Sequence, residues 1–313
     1  MRASMNKTAL LFAGQGAQVI GMGKDFAAEC ASARVWFDRA NTALGYDLAT
    51  ICFNGPENDL TRTENTQPGI LLVSWVAFQR LKERVPDLSF EAAAGLSLGE
   101  FTALTAAGAM SFEDALRIVR QRGRFMQEAC EETRGSMAAI IGLDEVLTRE
   151  VCAEADVELA NLNCPGQIVI SGELEKIDRA RELAMARGAK KTLPLSVSGA
   201  FHSRLMSGAR TKLQAALANV PFHPPSVAVI SNVTALPHGS VAEVQASLVQ
   251  QVTASVRWEE SMRYLLAQGF TQFIELGPGT ALSGFMKRID KNARMFHVAD
   301  LPSLEETAKR LAS

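Results

Sequence analysis

Residues 90–110 read FEAAAGLSLGEFTALTAAGAM. A short run of small apolar residues leads into Gly95-Leu96-Ser97-Leu98-Gly99, and a helix-forming stretch follows. Gly-x-Ser-x-Gly between a strand and a helix is the pattern of a nucleophile elbow, which lifts a serine above the end of a parallel sheet. The stretch therefore predicts an α/β protein and makes Ser97 a candidate nucleophile. The competing reading is a serine in a tight turn with no chemistry attached.

The rest of the chain has the same rhythm. Strands are predicted at 8–12, 91–94, 227–231, 271–275 and 294–298, with helical stretches such as 68–84, 111–131 and 258–268 between them. Several of these strands are continuously apolar, as expected when helices cover both faces of a mainly parallel sheet. From Ser136 the order changes to strand, helix, strand, turn, strand, helix, strand. That βαββαβ order is the ferredoxin-like unit. The expected organisation is a large α/β domain formed by 1–133 and 199–313, with a small ferredoxin-like subdomain inserted at 134–198.

Bulk composition narrows the function. The 313 residues are 47% hydrophobic and carry a formal net charge of -2. There is no basic stripe of the kind that nucleic acid requires. No apolar run reaches the ~18 residues of a membrane span. The early run TALLFAG is short and passes directly into GQGAQ, so it reads as a first buried strand rather than as a signal peptide. Five cysteines with no C-x-x-C argue against a disulfide framework or a metal site and fit a reducing cytoplasm.

A serine hydroxyl needs a base within hydrogen-bond reach. Histidine suits the role, with an unperturbed pKa of ~6.5. Of the four histidines, His223 lies in FHPP and His238 in LPHG, both turn-like, and His297 lies in a late strand. His202, in SGAFHSRLM, stands where the inserted unit would return to the large domain, so it is the candidate base. A buried structural histidine is the alternative.

Two further features accompany Ser97. FAGQGAQ, residues 12–18, ends the first strand with a Gly-rich turn. Its spacing fits neither the dinucleotide fingerprint nor a P-loop. The turn could instead place Gln15, or its backbone, beside an oxyanion at Ser97. In SFEDALRIVRQRGRFMQEA, helical spacing puts Ala115, Val119, Arg122 and Met126 on one face, with Arg117, Arg120 and Arg124 turned away. A buried arginine wants an anion, and its planar fork matches a carboxylate. Either a substrate carboxylate or a protein acid such as Glu100 could supply it.

Taken in order, FAGQGAQ, GLSLGE, RQRGRFMQEA, NLNCPGQIVISG, GAFHS and ELGPG resemble the malonyl-CoA:acyl-carrier-protein transacylases, and the acyltransferase domains of polyketide synthases are similar. The resemblance covers essentially the whole chain and implies a hydrolase-like α/β domain with a ferredoxin-like insert. It makes Ser97 the nucleophile and His202 the general base and then acid. Arg122 would pair with the malonyl carboxylate. Gln15 and the Leu98 backbone N–H would form the oxyanion hole. A backbone carbonyl near a Val-x-Trp stretch orients the histidine in this family, which points here to Arg257 in VRW. Phe201, beside the base, would crowd a methyl group at the malonyl α-carbon and so exclude methylmalonyl-CoA. One position departs from the common pattern: Leu96 stands where many members have histidine before the nucleophile.

The implied reaction is ping-pong malonyl transfer from malonyl-CoA to the phosphopantetheine thiol of holo acyl carrier protein. It needs no metal and no prosthetic cofactor. No nucleic-acid or membrane partner is expected, and the expected state is a cytoplasmic monomer. Basic residues near the cleft would meet the acidic carrier; Lys190, Lys191, Arg204, Lys287 and Arg288 are the candidates. The rival readings are a serine esterase or thioesterase, a non-catalytic relative, and a polyketide acyltransferase acting in trans.

Overall fold

The computed structural model describes residues 7–312. Nine strands occur among them: β1 Lys7–Phe12, β2 Ala92–Gly95, β3 Gly135–Ile141, β4 Glu158–Cys164, β5 Gln167–Glu173, β6 Lys191–Pro194, β7 Ala228–Ile230, β8 Phe270–Leu276 and β9 Arg294–Val298. They form two sheets, ordered β7-β2-β1-β8-β9 and β4-β5-β3-β6.

Every pairing in the five-stranded sheet is parallel. Its central strand, KTALLF, is buried from Thr8 onward, so its unbroken apolar run answers to burial on two faces rather than one. Because β2, β1 and β8 are parallel neighbours, their carboxyl ends emerge side by side. There the chain runs into GLSLGE after β2, FAGQG after β1 and ELGPG after β8. Ligands of open α/β sheets bind outside these carboxyl ends.

The four-stranded sheet is antiparallel throughout. With its helices Glu145–Ala155 and Leu174–Ala186 it has the ferredoxin-like order. Its inward residues alternate along the two central strands: Ala138 and Ile140 on β3, Ile168 and Ile170 on β5. They meet Val151 and Ile177 from the two helices in one apolar cluster. Asp144 starts the first of these helices by accepting the Leu147 N–H at 2.8 Å.

By contact pattern the chain divides into two compact units. One contains residues up to 123, 220–230 and from 264 onward; the other contains 124–219 and 231–263. The five-stranded sheet lies in the first and the four-stranded sheet in the second.

One helix boundary differs from expectation in a way that matters for the site. The helix expected to start at Pro68 begins five residues earlier and runs Thr63–Arg84. Proline commonly opens a helix, because the missing N–H costs nothing in the first turn. Here Pro68 sits just past that turn, and the added residues bring Gln67 onto the helix and into the interior.

Candidate active site

Ser97 occupies a strained turn. Its φ is 52° and its ψ is -104°, and it stands immediately before the helix Leu98–Ala106. A non-glycine residue in this region costs on the order of 1–3 kcal/mol and persists only where its surroundings enforce it. The enforcing contacts are backbone to backbone. A Cβ on Gly95 would lie 1.9 Å from the Gly99 carbonyl carbon, and one on Gly99 would lie 2.2 Å from the Phe12 carbonyl oxygen. The helix is therefore folded hard back over the ends of β2 and β1. The Leu96 N–H donates to that same Phe12 carbonyl at 3.1 Å. Leu98 is the first residue of the helix, so its N–H belongs to the set that helix geometry leaves without an intrahelical partner.

A polar chain runs into the elbow within the same unit. Arg122, on the helix Phe112–Glu132, donates from Nη2 to Ser97 Oγ at 3.1 Å and from Nη1 to Gln67 Oε1 at 2.7 Å. Gln67 Nε2 in turn donates to Gln15 Oε1 at 3.3 Å. Arg122 is 1% exposed, and Ala115, Val119 and Met126 are buried with it. Arg117 and Arg124 face solvent, and Arg120 reaches the Leu44 carbonyl. Burial pushes the Arg122 guanidinium down to about 10, while the buried Glu100 carboxylate acts in the opposite direction. The group therefore remains a cation at neutral pH. Its charge is desolvated, which strengthens any interaction with an arriving anion.

His202 lies in the second unit. It is 4% exposed, and its φ of 58° is again in the left-handed region. Its Nδ1 stands 2.8 Å from the carbonyl oxygen of Gln251. A carbonyl can only accept, so Nδ1 carries the hydrogen; in the neutral ring this leaves the lone pair on Nε2, the form a general base requires. Of the remaining histidines, His223 is exposed, while His238 and His297 are partly exposed. Phe201, next to His202, is buried.

The orienting carbonyl is thus that of Gln251, not of Arg257. Gln251 ends the helix Val241–Gln251, and carbonyls in the last turn of a helix have no intrahelical N–H to accept. Arg257 precedes the helix Trp258–Ala267, and its carbonyl already accepts the Ser261 N–H at 3.0 Å and the Ser261 hydroxyl at 2.8 Å. Sequence reasoning also missed Gln67. The available signal was a lone amide side chain leading into the apolar run PGILLVSW. Gln251 gave no signal, because it acts through its backbone.

Among the described residues no group of three or more His, Cys, Asp or Glu could hold a metal ion. No helix among them is long and apolar enough to cross a membrane. Arg204, one of the basic candidates, is ion-paired with Glu158 at 2.7 Å and Asp156 at 2.9 Å.

The chain resembles known proteins along nearly its whole length. The acyl transferase domain family matches residues 9–305. A malonyl CoA-acyl carrier protein transacylase of Bacillus subtilis is 44% identical over 308 residues, covering 96% of each chain. The solved malonyl CoA-acyl carrier protein transacylase of Coxiella burnetii superposes with a TM-score of 0.95 at 35% identity, covering 98% of both chains. A further solved structure is described as a type II PKS acyl-carrier protein in complex with its malonyl-transacylase. It matches with a TM-score of 0.94 at 38% identity over 97% of this chain and 99% of that one.

The elbow contacts carry a stability prediction. Gly99→Ala would set a methyl group against the Phe12 carbonyl, which belongs to the central strand and cannot retreat. The expected loss is on the order of 4 kcal/mol or more, read from the denaturant midpoint against wild type. An unchanged midpoint would mean that the elbow can open without cost.

Proposed function

Because this chain belongs to the acyl transferase family, and within it to the malonyl-CoA:acyl-carrier-protein transacylases, we propose that Ser97 carries the malonyl group between the two thiols. The family reaction takes malonyl from malonyl-CoA to acyl carrier protein. The observation that carries the residue assignment is the 3.1 Å bond from the Arg122 guanidinium to Ser97 Oγ. In a malonyl thioester the carboxylate and the reacting carbonyl are separated by a single methylene, hence by two C–C bonds of about 1.5 Å each. A buried cation that close to the nucleophile suits an acyl group with a carboxylate just that far from its carbonyl.

The steps follow from ordinary acyl-transfer chemistry. His202 Nε2 takes the proton of Ser97 as Oγ attacks the thioester carbonyl. The oxyanion forms against the Leu98 N–H and Gln15; one such donor is typically worth ~3–4 kcal/mol in the transition state. The imidazolium is stabilised by the Gln251 carbonyl and returns its proton to the departing CoA sulfur. The carrier's phosphopantetheine thiol then gives its proton to His202 and attacks the malonyl-serine, and Ser97 recovers its hydrogen as the thioester leaves. A backbone carbonyl on Nδ1 takes the place that an acid holds in a Ser-His-Asp triad. Protons and acyl group balance with no cofactor.

In the same reading Arg122 both selects and positions, Phe201 narrows the space beside the base, and residues 134–198 form the inserted subdomain. A cytoplasmic, monomeric enzyme completes the reading; its cysteines are all free thiols, as a reducing compartment would keep them. The solved complex with a type II polyketide carrier favours one second reading: the same transfer made to a polyketide carrier protein.

Three outcomes test these assignments. Incubation with malonyl-CoA alone should add one malonyl group to the intact mass, absent in Ser97→Ala and discharged by holo carrier protein. Free malonate without an adduct would make water the acceptor and the protein a hydrolase. Arg122→Ala should lose the preference for malonyl over acetyl by on the order of a hundredfold, read from the ratio of kcat/KM values; a preserved ratio would remove Arg122 from the substrate. Wild type should turn over methylmalonyl-CoA about tenfold or more below malonyl-CoA, and Phe201→Ala should narrow the gap; equal turnover by wild type would dismiss Phe201 as a selector.

A further inference from the structure

The carbonyl that holds His202 is itself held by a short strap. After Gln251 the chain runs through Val252, Thr253, Ala254, Ser255 and Val256 before the next helix starts at Trp258. This strap lies along β4, the edge strand of the four-stranded sheet. Its Val256 N–H donates to the Ala160 carbonyl at 2.8 Å, and the Leu162 N–H donates back to the Val256 carbonyl at 2.9 Å. Asn161 and Val256 form an isolated parallel bridge. The strap thus occupies an edge whose outward N–H and C=O groups would otherwise need water or another partner.

One side chain adds to these backbone bonds. Ser255 Oγ donates to the Leu159 carbonyl at 2.5 Å. This bond falls where the pairing of β4 with β5 shifts register, between Leu159 and Asn161. At the other end of the strap, the Ala254 N–H points at the Gln251 carbonyl oxygen at 3.4 Å, the same oxygen that His202 Nδ1 meets at 2.8 Å. Ser255 is therefore one residue from the group that shares this acceptor with the base.

We infer that Ser255 is a positioning residue for His202: by anchoring the 252–256 strap to Leu159 on the edge strand, it fixes the direction of the Gln251 carbonyl and hence the tilt and tautomer of the imidazole. A carbonyl at a helix end has no intrahelical N–H to fix its direction. The strap supplies that constraint from outside the helix. A serine suits the place because its hydroxyl is short enough to reach a carbonyl on the adjacent backbone and loses little rotamer entropy in doing so. The inference rests on His202 acting as the base.

The test is Ser255→Ala, with Ser255→Thr as the variant that keeps the hydroxyl. Malonyl transfer to holo carrier protein is measured at saturating and at limiting malonyl-CoA. The expected result is a fall in kcat of about three- to tenfold with KM for malonyl-CoA unchanged, and recovery of most of that loss in Ser255→Thr. A purely structural serine would lower the melting temperature and leave kcat per folded molecule at the wild-type value, which would overturn the inference. Should Ser255→Ala fail to fold, Ser255→Cys, a near-isosteric and weaker donor, takes its place with the same criterion. His202→Ala separates the two layers. Retained acylation in that variant would remove His202 as the base and the inference with it. Loss of acylation there, with wild-type kcat in Ser255→Ala, would overturn the role of Ser255 alone.

Discussion

The structure depends on one close approach, that of Gly99 to the carbonyl of Phe12. Everything at the elbow follows from it. The helix Leu98–Ala106 can lie against the end of the central strand only because neither Gly95 nor Gly99 has a side chain. That proximity closes the turn tightly enough to force Ser97 to a positive φ. The same proximity sets the start of the helix, and thus the N–H of its first residue, beside Ser97. A sequence that kept Ser97 but placed alanine at Gly99 would have the serine without the geometry that presents it.

The interior around the elbow is unusually polar for a protein core. Gln67, Glu100 and Arg122 are all buried within one unit. Burying an arginine is unfavourable unless partners replace the lost water. The Gln67 amide and the Ser97 hydroxyl do so in part, and the lowered affinity of the guanidinium for its proton records what remains unreplaced. If Arg122 binds the substrate, as proposed, such a site would be stabilised further when an anion enters.

How far the sequence could be read follows from what each feature is made of. The parallel sheet was legible because buried strands are written as runs such as TALLF, and the ferredoxin-like unit because the order of its strands and helices is itself the signature. Ser97 and Arg122 stood out for a related reason: a glycine frame and a helical face each single out one side chain. A main-chain carbonyl was expected beside His202 and one is found, but it is that of Gln251 rather than Arg257; what qualifies it is its place at a helix end, which the residue type does not record. Gln67 was hidden by Pro68, which reads as the start of a helix while the chain is helical from Thr63. Backbone groups and helix extents leave little trace in residue types, and the unread part of the site consists of these.

The bond between Arg122 and Ser97 has one more consequence. The cation that would receive the substrate's carboxylate is, before substrate arrives, tied to the nucleophile's own oxygen. On the proposed assignment, a carboxylate entering the site would compete with Ser97 for the same guanidinium, so recognition of the correct acyl group and release of the serine would become a single event. Acyl thioesters without that carboxylate would meet a serine still in its resting hold. Discrimination would then act on whether the serine is armed at all, as well as on how tightly each substrate is held.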